Sequence, residues 1–134
     1  MTAPSKTLEL GRKNRREVLG GDIVDRGAKA AWDFAQPYQE LIEEYCWGAV
    51  WGRPGLSRRD RSLLNLGMLV ALGRSNQLAL HIHGALNNGI TPEEIREVFM
   101  QTGVYCGAPA GQEAFRVARE VFKERGLALD EKAK

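Results

Sequence analysis

Apolar residues recur at helical spacing along most of this chain, and no segment alternates apolar and polar residues as a half-buried strand does. This pattern constrains the fold most, because the repeats of a helix and a strand place side chains on incompatible faces. The 134 residues suffice for one domain with its own core. We therefore predict an all-α fold, a compact bundle of about six to seven helices.

Local signals place the helix ends. The clearest is Thr91-Pro-Glu-Glu94, where threonine caps a helix, proline takes its first position and a glutamate follows three residues after the cap. Ser57 is a second predicted cap, for a helix that Gly73 ends. The other predicted helices span 12–19, 22–34, 37–46, 75–88 and 109–126, and 48–55 is predicted to be a loop.

Apolar residues cover most of the circumference of the helix after Ser57, so we expect it to be the most buried helix of the fold. They are Leu63, Leu64, Leu66, Met68, Leu69, Val70 and Leu72. The predicted domain spans 12–126, between a flexible N-terminal segment, 1–11, and a flexible tail, 127–134.

No part of the sequence predicts a membrane span or a secretory signal. The longest apolar run, 63–72, contains Asn65 and Gly67 and is far shorter than the roughly 20 residues of a membrane helix. The N-terminal segment is polar and basic. Cys46 and Cys106 lack a CxxC spacing, which favours buried free thiols in a reducing compartment. We expect a cytoplasmic protein.

The near balance of charge disfavours a nucleic-acid partner. Nineteen basic and 17 acidic residues give a net charge of +2, and the basic cluster in 12–16 lacks the aromatic platform of a nucleic-acid interface. We expect no nucleic-acid or membrane partner. A second basic set surrounds the apolar centre of the chain and suits an anionic small molecule: Arg53, Arg58, Arg59, Arg61 and Arg74.

The chain has two histidines, His81 and His83, which point about 200° apart on a helix and cannot face one site. No cysteine or carboxylate nearby completes a metal set, so we expect no metal site. Arg74, Gln77 and Asn88 share the stripe of His81 and join a cation and amides to a titratable ring. The equally weighted alternative is a solvated face with a hydrogen-bonded histidine.

Carboxylates beside large aromatic residues form a second candidate region. Glu43 and Glu44 precede Trp47 and Trp51, so the tryptophans could desolvate a carboxyl group or form the walls of a pocket. The alternative is exposed glutamates and core tryptophans. No GxSxG, phosphate loop or CxxC motif is present.

Several phrases together resemble the carboxymuconolactone decarboxylase family. They are Arg16-Glu-Val-Leu-Gly20, Val24-Asp-Arg26, Trp47-Gly-Ala-Val-Trp-Gly-Arg-Pro-Gly-Leu56, Arg59-Asp-Arg-Ser62, Leu80-His81, Ala85-Leu-Asn-Asn-Gly89, Gln101, Val104-Tyr105 and Ala108-Pro-Ala110. The resemblance covers residues 12–125. It implies an alkylhydroperoxidase-like helical fold that assembles into homo-oligomers, commonly hexamers, with sites shared between subunits.

Alkylhydroperoxidase-like members of the wider family use a CxxC pair, a histidine four residues later and an upstream glutamate. Aligned on His81, this chain has Arg74 and Gln77 in place of the cysteines. Ser62 stands in place of the glutamate. The dithiol is absent, so thiol peroxidase chemistry is not expected.

The resemblance implies a decarboxylase that needs neither a metal nor an organic cofactor. The expected reaction converts gamma-carboxymuconolactone to 3-oxoadipate enol-lactone, through loss of carbon dioxide and protonation of an enolate. His81 is the expected proton donor, and Arg74 the clamp for a carboxylate or oxyanion. Gln77 or Asn88 is expected to orient His81 or the lactone, and Trp47 and Trp51 are expected to form pocket walls. The second carboxylate is expected to bind Arg53, Arg58 or Arg61. Glu43 or Glu44 is a weaker candidate for the acid.

Two alternatives stay open from the sequence. One is a decarboxylase-like enzyme on another lactone or keto acid, because a fold does not determine a substrate. The other is a non-catalytic, oligomeric protein that binds small molecules.

Overall fold

A computed structural model describes residues 3–127 and 129, and every regular element in this part of the chain is helical. The α-helices are α1 Lys6–Leu19, α2 Gly21–Lys29, α3 Gln36–Ile42, α4 Arg58–Leu72, α5 Ser75–Asn87, α6 Pro92–Cys106 and α7 Ala108–Glu124. A 3-10 turn, Asp33–Ala35, precedes α3, and a π-helix, Glu43–Val50, continues it. The all-α prediction is confirmed. No helix in the described residues is long and apolar enough to cross a membrane.

The chain divides into two compact units, the first ending at Arg61 and the second beginning at Ser62. The first unit contains α1 to α3 and the π-helix, and the second contains α5 to α7. The single domain predicted over 12–126 stays a prediction. The predicted tail, 127–134, lies outside the described residues except at positions 127 and 129.

In the first unit, α1 packs along the π-helix with the two backbones close together. A Cβ atom at Gly11 would lie 1.8 Å from the carbonyl oxygen of Glu43, and one at Gly48 would lie 2.3 Å from that of Thr7. Glycine is therefore needed at both positions. The small core beside this contact consists of Val18, Leu19, Trp47 and Trp51.

In the second unit, α7 packs against both α5 and α6. The large side chains of its core cluster are apolar, and Phe99 meets the ring of Phe115 edge-on at 5.7 Å between ring centroids. The core consists of Leu66, Val70, Leu78, Ile82, Ala85, Ile90, Ile95, Phe99, Ala114, Val117, Ala118 and Val121.

Both predicted caps are confirmed. The Thr91 hydroxyl accepts a hydrogen bond from the Glu94 N–H, and the Glu94 carboxylate accepts one from the Thr91 N–H, each at 3.1 Å. The Ser57 hydroxyl accepts from the Asp60 N–H at 3.0 Å. These bonds satisfy first-turn amides that have no partner within the helix, which is why the signals can be read locally.

The start of α1 differs from the prediction. The helix begins at Lys6 rather than at Arg12, because the Ser5 hydroxyl accepts a hydrogen bond from the Leu8 N–H at 3.0 Å and caps it earlier. The segment predicted to be flexible, 1–11, is therefore helical from Lys6 onward.

Two later boundaries also differ. The helix expected to continue to Phe34 ends at Lys29, where the Ala31 N–H bonds to the Ala28 carbonyl three residues earlier and tightens the last turn. The loop predicted over 48–55 begins only after the π-helix.

The prediction that α4 is the most buried helix is wrong. One stripe at intervals of four residues is buried, and it consists of Ser62, Leu66 and Val70. A second stripe with the same spacing is between 44% and 66% exposed, and it consists of Leu64, Met68 and Leu72. The apolar composition of a helix indicates how much of it could be covered, but not which neighbours are present to cover it.

Candidate active site

His81 lies half-buried on α5, in a stripe that it shares with two core residues. Leu78 and Ala85 are 2% and 0% exposed, whereas Arg74 and Gln77 are exposed, so the alternative of a solvated face with a hydrogen-bonded histidine fits only the start of this stripe. Burial lowers the pKa of His81 to about 4, because the imidazolium would lose its hydration. At neutral pH the ring is uncharged.

Asn65, on α4, determines where the proton of this ring lies. Its Nδ2 atom is 3.3 Å from Nδ1 of His81. An amide nitrogen only donates, so Nδ1 accepts the hydrogen bond and the neutral ring carries its proton on Nε2. His81 can therefore act as a neutral N–H donor, the kind of group that stabilises a developing oxyanion without bringing a charge of its own.

Asn88 makes a second hydrogen bond from the end of α5 to α4. Its Nδ2 atom donates to Oγ of Ser62 at 2.8 Å, and Ser62 is fully buried. Ser62 and Asn65 are three residues apart and share one face of α4, while His81 and Asn88 share one face of the α5 segment. We refer to these four side chains as the α4–α5 cluster.

Exchanging Asn65 for aspartate is expected to change the protonation of His81. In Asn65→Asp the new carboxylate accepts a hydrogen bond from Nδ1–H, so the neutral ring changes tautomer and the imidazolium gains a counter-charge. The pKa of His81 should rise well above about 4. NMR titration of ¹⁵N-labelled histidine reports both the pKa and the tautomer.

Asn76→Asp makes the same chemical change at an exposed position in the first turn of α5. It should leave the titration of His81 close to that of the unmodified protein. An unchanged pKa and tautomer in Asn65→Asp would mean that Asn65 does not determine the state of the ring.

Arg74 and Gln77 lie at the start of α5, and both are exposed. Arg74 is the residue that precedes the helix rather than a member of it, and its N–H donates to the Leu69 carbonyl at 3.0 Å. The hydrogen bond to His81 described above comes from Asn65, on another helix. The roles predicted for Arg74 and Gln77 stay predictions.

His83 belongs to a different group of side chains. Its Nε2 atom is 3.3 Å from a carboxylate oxygen of Glu124, and its Nδ1 atom is 3.3 Å from Nη1 of Arg125. The second histidine thus contacts the end of α7. This agrees with the prediction that the two histidines do not face one site.

Two predicted pocket residues, Trp47 and Trp51, lie in the core of the first unit. They are 5% and 6% exposed and stack at 4.9 Å between ring centroids. The Trp47 carbonyl accepts a hydrogen bond from Nδ2 of Asn14 at 2.8 Å. Their arrangement supports the core interpretation, and their contribution to a pocket stays a prediction.

The arginines proposed for the second carboxylate contact other residues of the first unit. Nη2 of Arg58 donates to Oδ1 of Asn14 at 2.7 Å, and its Nη1 atom is 3.3 Å from Glu17. Nη2 of Arg61 donates to the Arg53 carbonyl at 3.1 Å. The Arg53 side chain is exposed. A substrate role for these three residues stays a prediction.

Glu43 is a buried carboxylate, 7% exposed, at the start of the π-helix. Its Oε2 atom is 3.6 Å from Nε of Arg12. Glu44 instead accepts a hydrogen bond from the Ser5 hydroxyl at 2.7 Å. Of the two candidate acids, Glu43 is therefore the desolvated one, and it lines a cavity of the first unit.

Asn65 and Ser62 were not identified as site residues from the sequence. Asn65 interrupts the apolar run 63–72, and a lone amide in such a run is a signal, since buried amides need hydrogen-bond partners. The partner itself could not be predicted, because that requires knowing which helices pack together.

The cysteines are both free. Burial raises the pKa of the Cys46 thiol, whereas Cys106 is exposed, so the expectation of a buried thiol is wrong there. In the described residues, no group of three or more histidine, cysteine, aspartate or glutamate side chains could hold a metal ion.

Comparison with known proteins adds a family to this geometry. The profile of the Carboxymuconolactone decarboxylase family matches residues 36–120. The chain is 42% identical over 118 residues to a 4-carboxymuconolactone decarboxylase of Acinetobacter baylyi, and this match covers 88% of each chain. It is 45% identical over 119 residues to a nitrosuccinic acid decarboxylase of Metarhizium robertsii, and this match covers 89% of this chain and 83% of the relative. On these matches, the chain belongs to the carboxymuconolactone decarboxylase family.

Proposed function

We propose that this protein is a carboxy-lyase that converts gamma-carboxymuconolactone to 3-oxoadipate enol-lactone without a metal or an organic cofactor. The observation that carries the proposal is the 42% identity to a 4-carboxymuconolactone decarboxylase over 88% of both chains. A match over 118 of the 134 residues includes the positions of the α4–α5 cluster and of the predicted site residues.

The chemistry explains why no cofactor is required. The bond between the ring carbon and the leaving carboxylate breaks, carbon dioxide departs, and the electron pair enters a system conjugated with the lactone carbonyl. The charge comes to rest on an enolate oxygen until a proton is added to carbon. The protein must hold an anion, stabilise that oxygen and supply the proton.

His81 suits stabilisation of the enolate oxygen through Nε2–H. At neutral pH its low pKa, about 4, keeps the ring uncharged, so it donates a hydrogen bond without acting as a strong acid. Asn65 holds the tautomer that this hydrogen bond requires. The anion that develops on the substrate raises the pKa of the ring, so His81 can take up a proton from water and, as imidazolium, give a proton to the enolate carbon, which returns the ring to its neutral form.

Arg74 remains the proposed clamp for a substrate carboxylate. Its side chain is exposed at the start of α5, and a guanidinium offers paired donors that match a carboxylate. Gln77, one turn further along, is the proposed orienting amide. Asn88 is the second proposed orienting amide, and its hydrogen bond to Ser62 holds its own side chain in place.

We propose that the protein assembles with copies of itself. The exposed stripe of Leu64, Met68 and Leu72 supports this proposal, because apolar side chains aligned on one helix face are typical of an interface. A hexamer and a cytoplasmic location stay predictions.

The second candidate substrate is a nitro acid, which the 45% identity to a nitrosuccinic acid decarboxylase favours. Loss of a carboxylate next to a nitro group leaves a nitronate, whose charge also rests on oxygen. The same N–H donor and the same carboxylate clamp would serve both substrates, so the outline of the pocket determines which is used.

The testing experiment mixes purified protein with freshly generated gamma-carboxymuconolactone or with nitrosuccinate, in the presence of a chelator, and follows release of carbon dioxide. We expect fast release from the lactone and slow release from nitrosuccinate. Release from nitrosuccinate alone would assign the second candidate function.

Two further outcomes would contradict the proposal. Lactone binding without carbon dioxide release would support the non-catalytic binding protein. Release that stops when chelator is added and returns with a metal ion would overturn the cofactor-free reaction.

A further inference from the structure

The first unit contains a cavity of about 530 Å³ whose lining includes none of the four residues of the α4–α5 cluster. Its volume lies within the roughly 300–1,000 Å³ of small-molecule sites. It lies between α1, α2 and the segment 31–43, and three arginines of α1 line it: Arg12, Arg15 and Arg16.

Two of these arginines have carboxylate partners. Arg12 is 3.6 Å from both Glu40 and Glu43. Arg16 forms a bidentate pair with Asp25, at 2.9 and 3.3 Å. Their charges are therefore compensated within the first unit.

Arg15 is the third arginine, and it makes no ion pair with the described residues. Its guanidinium lies against α2, since a Cβ atom at Gly27 would be 3.7 Å from Nη2. Gly27 and Arg15 both line the cavity. Arg15 is thus the cavity-lining arginine whose guanidinium has no carboxylate partner among the described residues, and its paired donors suit one carboxylate.

Besides the arginines and the polar residues Gln36, Gln39 and Glu43, the lining has a part that suits a flat apolar body. Val24, Ala28 and Ala31 provide small apolar surfaces. Trp32 and Tyr38 also line the cavity and remain 69% and 65% exposed. Large aromatic rings beside small aliphatic side chains are typical of sites for planar rings.

We propose that this cavity binds a small aromatic monocarboxylate, with the carboxylate on Arg15 and the ring between Trp32 and the small residues of α2. The proposal does not depend on the proposed function, because its residues lie in α1, α2 and the segment 31–43 rather than in the α4–α5 cluster.

Benzoate is the probe, and isothermal titration calorimetry at constant ionic strength is the measurement. We expect saturable binding of one benzoate per chain. Arg15→Gln should weaken it by about tenfold or more, since a hydrogen bond to a charged group stabilises more than one between neutral groups. Arg26→Gln removes the same charge from an exposed position of α2 and should leave the affinity unchanged. Benzamide is the neutral analogue of benzoate. Its affinity for the unmodified protein should be no higher than the affinity of benzoate for Arg15→Gln.

The proposal is overturned if benzoate shows no saturable binding, if Arg15→Gln binds it as tightly as the unmodified protein, or if benzamide binds equally well. His81→Gln separates this site from the catalytic one. Retained benzoate affinity in that variant supports a separate site, and loss of affinity would place the benzoate at the α4–α5 cluster. A protein that binds benzoate but decarboxylates nothing would overturn the proposed function alone.

Discussion

Replacing His81 by glutamine is expected to lower kcat for lactone decarboxylation by about 100- to 1,000-fold, within the usual contribution of a positioned general acid or base. Glutamine keeps a polar side chain of similar reach on α5, but it cannot transfer a proton as imidazole does. Initial rates of carbon dioxide release measure the effect. Circular dichroism shows whether the variant is folded.

The matched control is His83→Gln, the same exchange two residues along the same helix. His83 contacts Glu124 and Arg125 rather than the α4–α5 cluster, so kcat should stay close to that of the unmodified protein. Equal losses in two folded variants, or normal turnover in His81→Gln, would remove His81 from the mechanism.

The pH profile tests which form of His81 acts. Its pKa is lowered to about 4, so the neutral form is present above that value and is lost as the pH falls through it. If the neutral ring acts, the contribution of His81 to kcat should persist below pH 6.5, the ordinary pKa of histidine. A loss of kcat centred near that ordinary value would mean that burial does not lower the pKa.

The helical class and several helix ends could be predicted because their causes are local. The Thr91 cap requires only the residues of one turn, and the structure shows both of its hydrogen bonds. The early start of α1 was missed because Ser5 and Lys6 lie in a polar segment without apolar periodicity. A cap without an apolar stripe behind it gives a weak signal.

Burial of α4 could not be predicted, because its two apolar stripes have the same spacing. The sequence does not distinguish Leu66, which is fully buried, from Leu64, which is 53% exposed. Only the arrangement of the other helices makes that distinction.

The candidate site shows the same limit. His81 could be found from the sequence because the chain has two histidines and the other points elsewhere on the helix. Asn65 sets the tautomer from another helix, 16 positions earlier in the chain. A sequence can therefore indicate a single reactive residue, but it does not show which residue of another helix will contact it.

The π-helix is the clearest case of structure set by a long-range contact. It shows the i to i+5 pattern at its end, where the Trp51 N–H donates to the Cys46 carbonyl at 2.9 Å. Gly48 belongs to this helix and meets α1. A glycine-rich stretch predicts a loop by propensity, but here glycine permits two helix backbones to approach.

Gly11→Ala is expected to destabilise the protein more than other glycine replacements. The new Cβ atom would lie 1.8 Å from the Glu43 carbonyl oxygen, 2.7 Å from its carbon and 2.9 Å from the Gly48 nitrogen. All three are backbone atoms, so no side-chain rotation relieves the overlap, and α1 must move away from the π-helix. We expect the free energy of unfolding to fall by about 3 kcal/mol or more, measured by urea denaturation.

Gly55→Ala is the control that separates this contact from the general effect of replacing glycine. A Cβ atom there would meet nothing within 4 Å, so alanine only restricts the unfolded chain and should change stability by less than about 1 kcal/mol. If both variants unfold at the same urea concentration, the close approach of α1 to the π-helix is wrong. If only Gly11→Ala is destabilised, the position of Glu43 depends on that approach, because the Glu43 carbonyl is the first atom that the new methyl group would displace.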